Sequence, residues 1–177
     1  VAHAAVDALT ASDDGWVLNP ECPEQPGRLL DTHLADSADL DGVVDFWPLD
    51  IGEHTTTASA LGPGAVVHLV RAIAEHDTAK PRLHLITGGA QPAPGTGAPN
   101  VDQAVMWGLG RVIGHEEFGE YWGGLVDIDP GQDPADTAVT VCDHLLGDGA
   151  EDQIAIRGSV TFVPRMRLCR TLTKPFP

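Results

Sequence analysis

Short apolar segments alternate with helical segments along this chain, and the alternation narrows its possible folds more than any other feature. The predicted strands are Trp16–Leu18, Gly42–Trp47, Arg82–Thr87, Leu125–Ile128, Gln153–Arg157 and Thr161–Leu168. The predicted helices are Ala2–Thr10, Pro26–Leu34, Gly64–His76, Asn100–Glu117 and Pro134–Leu146. This order predicts an α/β fold, with a mainly parallel sheet covered by helices on both faces. Because the chain opens with a helix, we expect the first strand of a complete series to be missing from it.

The composition limits the partners of such a domain. With 177 residues, of which 42% are hydrophobic, the chain can form one domain around a single core. Its formal net charge of −16, with Lys80 and Lys174 as its lysines, argues against binding to nucleic acid or anionic lipid. No apolar run approaches the roughly 20 residues of a membrane span, and the start lacks the basic end of a signal peptide. We therefore expect a soluble, cytoplasmic domain.

The segment LHLITGGAQPAPGTG (83–97) partly matches a nucleotide-binding loop. An apolar run ends in Thr87-Gly88-Gly89, as in the pattern T-G-x-x-x-G-x-G, but the next two glycines of the pattern are Pro92 and Pro94 here. Such a loop binds pyrophosphate through backbone N–H groups at a helix N-terminus. Proline has no N–H and a fixed φ. We therefore assign no cofactor-binding residue.

No proton-donating tyrosine–lysine pair can be assembled from neighbouring residues. Tyr121 is the one tyrosine, and the position four residues later, where a lysine would lower the phenol pKa, is Leu125. The glycines Gly108, Gly110 and Gly114 lie within a predicted helix and not between a strand and a helix. We expect them to let a neighbouring element approach closely, and we assign no catalytic residue.

Three fragments of metal-binding motifs occur, and each lacks a required ligand: His115-Glu116, Asp127-x-Asp129 and Cys142-x-His144. The first would need a histidine at residue 119, and the second a glutamate at residue 138. The three cysteines are isolated in the sequence, so they imply neither a disulfide framework nor a CxxC site. We therefore assign no metal ligand.

Four segments in fixed order resemble one known family: GVVDFWPLD (42–50), GAVVHLVRAIAEHDTAKPRLHLITGGAQ (64–91), VDQAVMWGLGRVIGHEEFGEYWGGLVDID (101–129) and EDQIAIRGSVTFVPRMRL (151–168). They resemble the structural (non-catalytic) subdomain of the ketoreductase region of modular type I polyketide synthases. The most specific part is WGLGR…E…WGGLVD. The resemblance runs from about Trp16 to Leu168, so residues 1–168 are predicted to form this subdomain and residues 169–177 a linker to the next domain.

The resemblance implies a truncated Rossmann-like (pseudo-Rossmann) fold that binds no cofactor and braces a second, catalytic subdomain of the same polypeptide. That subdomain would bind NADPH and carry the Ser, Tyr and Lys that reduce a β-ketoacyl chain on an acyl carrier protein. In fully reducing modules of the family, an enoylreductase domain is inserted between the two subdomains. The chain would then not be an enzyme by itself.

Three alternatives stay open. The first is part of an inactive pseudo-ketoreductase scaffold in such a synthase. The second is an independent α/β domain that binds an acyl group or a nucleotide, which a ligand-sized pocket at the carboxyl ends of the strands would favour. The third is an enzyme of unrecognised mechanism, which would need a cluster of buried carboxylates or histidines with shifted pKa values.

The helix Asn100–Glu117 provides a candidate bracing surface. At 100° per residue, one face carries Val105, Leu109, Val112 and Ile113, which we expect to pack on the sheet of the same domain. Trp107 lies on the opposite side, beside Ala104, Arg111, Gly114 and His115. We predict that Trp107 is an anchor for the second subdomain and that Arg111, one turn later, stacks on it. The alternative is that Trp107 is buried under a loop of its own domain.

Overall fold

The first described residues form a small sheet of three short strands. The computed structural model describes residues 2–3, 8–36, 40–52, 61–76, 80–94 and 97–168. Strand β3 (Gly15–Leu18) pairs in parallel with β1 (Ala2–His3) and antiparallel with β2 (Thr10–Ser12). The prediction of a helix over Ala2–Thr10 is therefore wrong at both of its ends. The predicted linker, residues 169–177, lies outside the described residues.

Among the described residues, the main sheet has five strands in the order β4-β5-β6-β7-β8, with the bounds Gly42–Asp45, Arg82–Gly88, Trp122–Ile128, Gln153–Arg157 and Val160–Phe162. Strands β4 to β7 are parallel, and β8 returns antiparallel to β7. The prediction of a mainly parallel sheet is confirmed. Because the strands are parallel, the loops that follow β5, β6 and β7 meet at one carboxyl edge.

In the part of the chain that the structure describes, four α-helices accompany the sheet: α1 (Glu24–Asp36), α2 (Pro63–Glu75), α3 (Val101–Val112) and α4 (Pro134–Leu146). Each of α2 and α4 has proline in its first turn, where the missing N–H costs no helical hydrogen bond. The side chain of Asn100 caps α3 by accepting from the N–H groups of Asp102 and Gln103.

Helices cover both faces of the sheet, as predicted. The described residues form two hydrophobic cores, one on each face of the sheet. Alternate residues of β5 contribute to them, since Leu83 and Leu85 face one core and Ile86 faces the other. The larger core joins Leu85 and Leu125 to apolar residues of α1, α2 and α3. The smaller core joins Ile86 to Val126, Ile154, Ile156 and Val141 of α4.

Two elements end earlier than the apolar pattern predicts. Strand β4 stops at Asp45, because the side chain of Asp45 accepts the N–H of Trp47 at 3.0 Å and the chain turns into a short 3-10 helix. The last strand stops at Phe162, two residues before Pro164, which has no N–H to donate to a sheet.

Candidate functional site at the carboxyl edge of the sheet

The loop that follows β5 lies where a Rossmann-like fold would bind a phosphate. Its backbone N–H groups already have protein acceptors. Gly88 N–H donates to Oε1 of Gln103 at 2.7 Å, and Gly89 N–H donates to the carbonyl of Ile128 at 3.0 Å. The next two N–H groups, of Ala90 and Gln91, donate to the carboxylate of Asp127 at 2.7 and 3.1 Å. The four donors that a phosphate would need are therefore occupied from within the domain.

Asp127 is the centre of this closed loop. It follows the apolar strand residues Leu125 and Val126 and is completely buried. Besides the two loop N–H groups, its carboxylate accepts the hydroxyl of Thr87 at 2.7 Å and a charged N–H from Nη2 of Arg157. Four donors satisfy it, so the carboxylate is an internal anion held by the loop.

Arg157 supplies the opposite charge from the end of strand β7. Its side chain is also buried, and it pairs with the Asp127 carboxylate. Its Nη1 donates to the Asp127 carbonyl at 2.9 Å, and its Nη2 donates to the Gln91 carbonyl at 3.1 Å. The guanidinium thus ties together the ends of three parallel strands or their loops. Removing either partner would leave the other buried and unpaired.

Trp107 belongs to this network and not to the surface. Its side chain is 2% exposed, and its indole Nε1 donates to Oγ1 of Thr87 at 3.0 Å. This burial speaks against the predicted role of Trp107 as an anchor for a second subdomain, and it matches the alternative only in part, since the indole lies in the larger core beside the end of β5. Of the residues predicted to pack on the sheet, Ile113 is buried and Leu109 packs against the core, whereas Val105 and Val112 are exposed, because α3 also turns Met106, Trp107 and Gly110 inward.

The other residues of the predicted surface fall into two groups. Arg111 and His115 are exposed, and the guanidinium of Arg111 lies 5.7 Å from the centroid of the Trp107 ring, as the spacing predicted. Ala104 and Gly114 are partly buried. A Cβ at Gly114 would lie 2.6 Å from Cδ1 of Trp122, so this glycine lets a neighbour in its own domain approach, as expected.

An open groove of about 500 Å³ runs beside the loop, with Gly88, Gly89, Asn100, Gln103 and Pro130 among its lining residues. Its polar groups have partners within the domain, since Gln103 accepts from Gly88 N–H and Asn100 caps α3. The groove is therefore large enough for a ligand, but it has few of the polar groups that would be needed to hold a nucleotide in place.

Tyr121 and Lys80 meet in the structure, although they are distant in sequence. The ammonium of Lys80 lies 5.9 Å from the centroid of the Tyr121 ring and pairs with the carboxylate of Glu120. This pair lies at the amino end of β6, on the edge opposite the closed loop. It stands away from the edge where Rossmann-like folds bind their ligands.

One buried and two partly buried groups, Asp45, His84 and His144, have pKa values shifted by burial, but they do not form one cluster. Asp45 lies on the face of β4 that the larger core covers, and burial raises its pKa to about 6. On the other face, burial and the nearby His144 and Arg82 lower the pKa of His84, and burial lowers the pKa of His144. Within the described residues, no three His, Cys, Asp or Glu side chains are grouped as metal ligands.

The fold and the closed loop define a Rossmann-like α/β domain. A family model described as the Rossmann fold domain of polyketide synthase extender module SpnB matches residues 2–166, and the chain belongs to this family. None of the helices that the structure describes is long and apolar enough to cross a bilayer.

Two multienzymes illustrate the similarity in sequence. The pikromycin polyketide synthase component PikAII of Streptomyces venezuelae is 32% identical over 131 residues, which cover 72% of this chain and 3% of that protein. Polyketide synthase GfsA of Streptomyces halstedii is 31% identical over 144 residues, which cover 78% of this chain and 2% of that protein. The chain thus spans a small part of the relatives it matches.

Solved structures carry the same fold. A C2-type ketoreductase from a modular polyketide synthase has a TM-score of 0.69 and 29% identity, covering 82% of this chain and 33% of that one. A-type ketoreductases from modular synthases also have a TM-score of 0.69, with 26% identity, covering 82% of this chain and 30% of that one. The predicted fold class and the resemblance to ketoreductase regions of modular polyketide synthases are confirmed.

Proposed function

We propose that the chain is a non-catalytic structural subdomain that braces the NADPH-dependent catalytic subdomain of a polyketide synthase ketoreductase. The observation that carries this proposal is the closed loop after β5. The carboxylate of Asp127 accepts the N–H groups of Ala90 and Gln91 that a phosphate would otherwise use. A buried ion pair within the domain thus takes the place that a phosphate would occupy at this loop. Such a domain is better suited to be a rigid support than to bind a cofactor.

The outer face of α3 is the proposed bracing surface, which replaces the surface around Trp107. We call it the valine stripe and define it as Val101, Val105, Gly108 and Val112. The three valines are 77%, 50% and 46% exposed, and a Cβ at Gly108 would meet no atom within 4 Å. The spacing of four, three and four residues places them along one side of the helix. A continuous apolar stripe of this kind is typical of an interface.

The remaining partners follow from this role. The catalytic subdomain would belong to the same polypeptide and would bind NADPH itself, while an acyl carrier protein presents the substrate to it. An enoylreductase domain could follow the structural subdomain in the same chain.

Expressing the catalytic subdomain with and without this chain tests the proposal. We expect the catalytic subdomain alone to have a lower midpoint of thermal unfolding and lower ketoreductase turnover, because it would expose the apolar surface that faces the brace. Adding the purified chain should restore both quantities. Equal stability and turnover in its absence would contradict the bracing role.

A further inference from the structure

Helix α4 carries an apolar row on the side that faces away from the sheet. We call this row the α4 ridge and define it as Ala135, Val139, Cys142 and Leu146. The spacing of four, three and four residues places the members along one side of the helix. All are exposed, with Val139 at 63% and Leu146 at 87%, whereas Val141 of the same helix packs in the smaller core. Single exposed apolar side chains are ordinary, but a row along one helix face is typical of an interface.

An acidic row runs beside the ridge. Asp136 and Asp143 are seven residues apart, so they lie on one side of α4. Asp143 follows Val139 by four residues and precedes Leu146 by three, which makes it a neighbour of both on the helix surface. Both carboxylates are exposed, and neither forms an ion pair with another described residue. Their charge is therefore available to a partner.

The charge around the ridge is of one sign. Residues 129–152 contain neither lysine nor arginine, and their acidic members are Asp129, Asp133, Asp136, Asp143, Asp148, Glu151 and Asp152. Burial lowers the pKa of His144, the histidine of α4, so it adds no positive charge at neutral pH. Arg165 pairs with Glu151 and leaves the two carboxylates of α4 unpaired. An apolar row in a negative field favours a partner with positive charge.

We propose that the α4 ridge docks an amphipathic helix of a partner protein, whose apolar side chains are flanked by lysine or arginine. Its apolar side chains would pack on Val139 and Leu146, and its cations would pair with Asp136 and Asp143. A second copy of this chain would bring a net charge of −16 against the same charge, and nucleic acid or an anionic membrane would also be repelled. This surface is independent of the bracing role, because α4 and the valine stripe of α3 lie on opposite faces of the sheet.

A synthetic peptide of leucine, alanine and lysine, with its leucines along one helix face, tests the surface by titration calorimetry. A length of about 18 residues allows it to form a helix, and about 50 mM salt keeps screening weak. One control peptide has glutamate in place of each lysine, and another has the same composition with the leucines on all sides. We expect the first peptide to bind in a 1:1 ratio, the scattered peptide at least tenfold more weakly, and the glutamate peptide not measurably. Equal binding of the two lysine peptides would reduce the effect to charge alone and overturn the proposal, as would no binding at about 1 mM.

Paired variants locate the apolar part of the contact. Val139→Asn/Leu146→Asn should weaken binding of the amphipathic lysine peptide at least tenfold, because it removes the apolar surface without changing a charge. Val105→Asn/Val112→Asn, the matched change on the valine stripe, should leave the affinity within about twofold of native. Circular dichroism checks that the variants are folded. Equal effects of the two changes would place the peptide elsewhere, and self-association of the native chain that Val139→Asn abolishes would make a second copy the occupant. Either result would overturn the proposal.

A second pair of variants tests the acidic row. Asp136→Asn/Asp143→Asn should weaken the same peptide at least fivefold at about 50 mM salt, and this difference from the native chain should disappear near about 0.5 M salt. Asp13→Asn/Asp14→Asn removes the same charge from an exposed turn before β3 and should change the affinity by less than about twofold. If both pairs weaken binding equally, the peptide responds to net charge and not to the α4 ridge, and the proposal is wrong.

Discussion

The carboxylate of Asp127 and the guanidinium of Arg157 form a buried ion pair that holds the loop after β5 closed. The pair joins β6 to β7, and through Ala90 and Gln91 it also fixes the end of β5. Three neighbouring parallel strands are thereby connected at the edge where related folds open to bind a ligand.

Removing the acidic partner should destabilise the domain strongly. We expect Asp127→Ala to lower the free energy of unfolding by about 3–5 kcal/mol, because Arg157 and the loop N–H groups lose their acceptor in the interior. Urea unfolding followed by circular dichroism measures this change. Asp143→Ala, an exposed residue of α4, is the control and should change it by less than about 0.5 kcal/mol. A loss below about 1 kcal/mol for Asp127→Ala would mean that the ion pair does not hold the loop.

Restoring glycines to the loop should not create a cofactor site. The double variant Pro92→Gly/Pro94→Gly recovers the glycine pattern of a nucleotide-binding loop, but the N–H groups of Ala90 and Gln91 remain bonded to Asp127. We expect no heat of NADPH binding by titration calorimetry in either the native chain or the double variant. A stoichiometric micromolar dissociation constant for the native chain would contradict the absence of a cofactor site. Binding by the double variant alone would show that the prolines, and not Asp127, close the loop.

Asp45 should make stability depend on pH in a defined direction. Its folded-state pKa of about 6 lies above the ordinary value of 3.8, so the folded state binds the proton more tightly than the unfolded state. The resulting stabilisation is complete below about pH 4 and is lost as the pH rises through about 6. Asp45→Asn should therefore unfold at higher urea concentration than the native chain at pH 7.5, by roughly 3 kcal/mol at most.

The advantage of Asp45→Asn should vanish near pH 4, where the carboxyl group is protonated in both states. Comparing the variant with the native chain at each pH removes the opposite contributions of His84 and His144, whose pKa values burial lowers. A constant difference between pH 4 and pH 7.5 would show that the charge of Asp45 is not the cause.

Two glycines in one helix provide a matched pair. A Cβ at Gly110 would lie 2.7 Å from Cη2 of Trp122 and 3.0 Å from Leu125, whereas a Cβ at Gly108 would meet no atom within 4 Å. Gly110→Ala should therefore destabilise the domain by about 1–3 kcal/mol through overpacking. Gly108→Ala should stabilise it by up to about 1 kcal/mol through helix propensity. Urea unfolding measures both changes. Equal changes in the free energy of unfolding for the two variants would mean that α3 does not pack on β6 as described.

Local patterns predicted the elements of this fold better than their orientation. The helix Pro134–Leu146 and the strand Gln153–Arg157 have the predicted bounds, because Asp133 and Pro134 begin the helix and an apolar run bounded by polar residues marks the strand. The prediction of a first helix was wrong at both of its ends because Ala2–His3 and Thr10–Ser12 pair with Gly15–Leu18. Helical periodicity in the sequence does not reveal such pairing between strands.

The closed loop was not predicted from the sequence, although its charged residues stand out in retrospect. Asp127 interrupts an apolar run and Arg157 ends another, which is unusual for strands buried on both faces. Their pairing depends on which strands become neighbours, and a single sequence does not give that order. The face of α3 was assigned only in part for a related reason, since Val105 and Val112 gave the exposed side an apolar appearance while Trp107 packs in the core.

The affinity between this chain and the catalytic subdomain, measured with and without a charge on the valine stripe, tests the bracing role most directly. Val105→Glu should leave the urea unfolding of the isolated chain within about 0.5 kcal/mol of native, because Val105 is half-exposed. It should weaken the association, measured by titration calorimetry, roughly tenfold or more, about 1.4 kcal/mol, because it places a charge in an apolar interface. Val139→Glu, an exposed valine of α4 on the other face of the sheet, is the control and should associate like the native chain. Native affinity for Val105→Glu, or no measurable association of the native chain, would contradict the proposed brace.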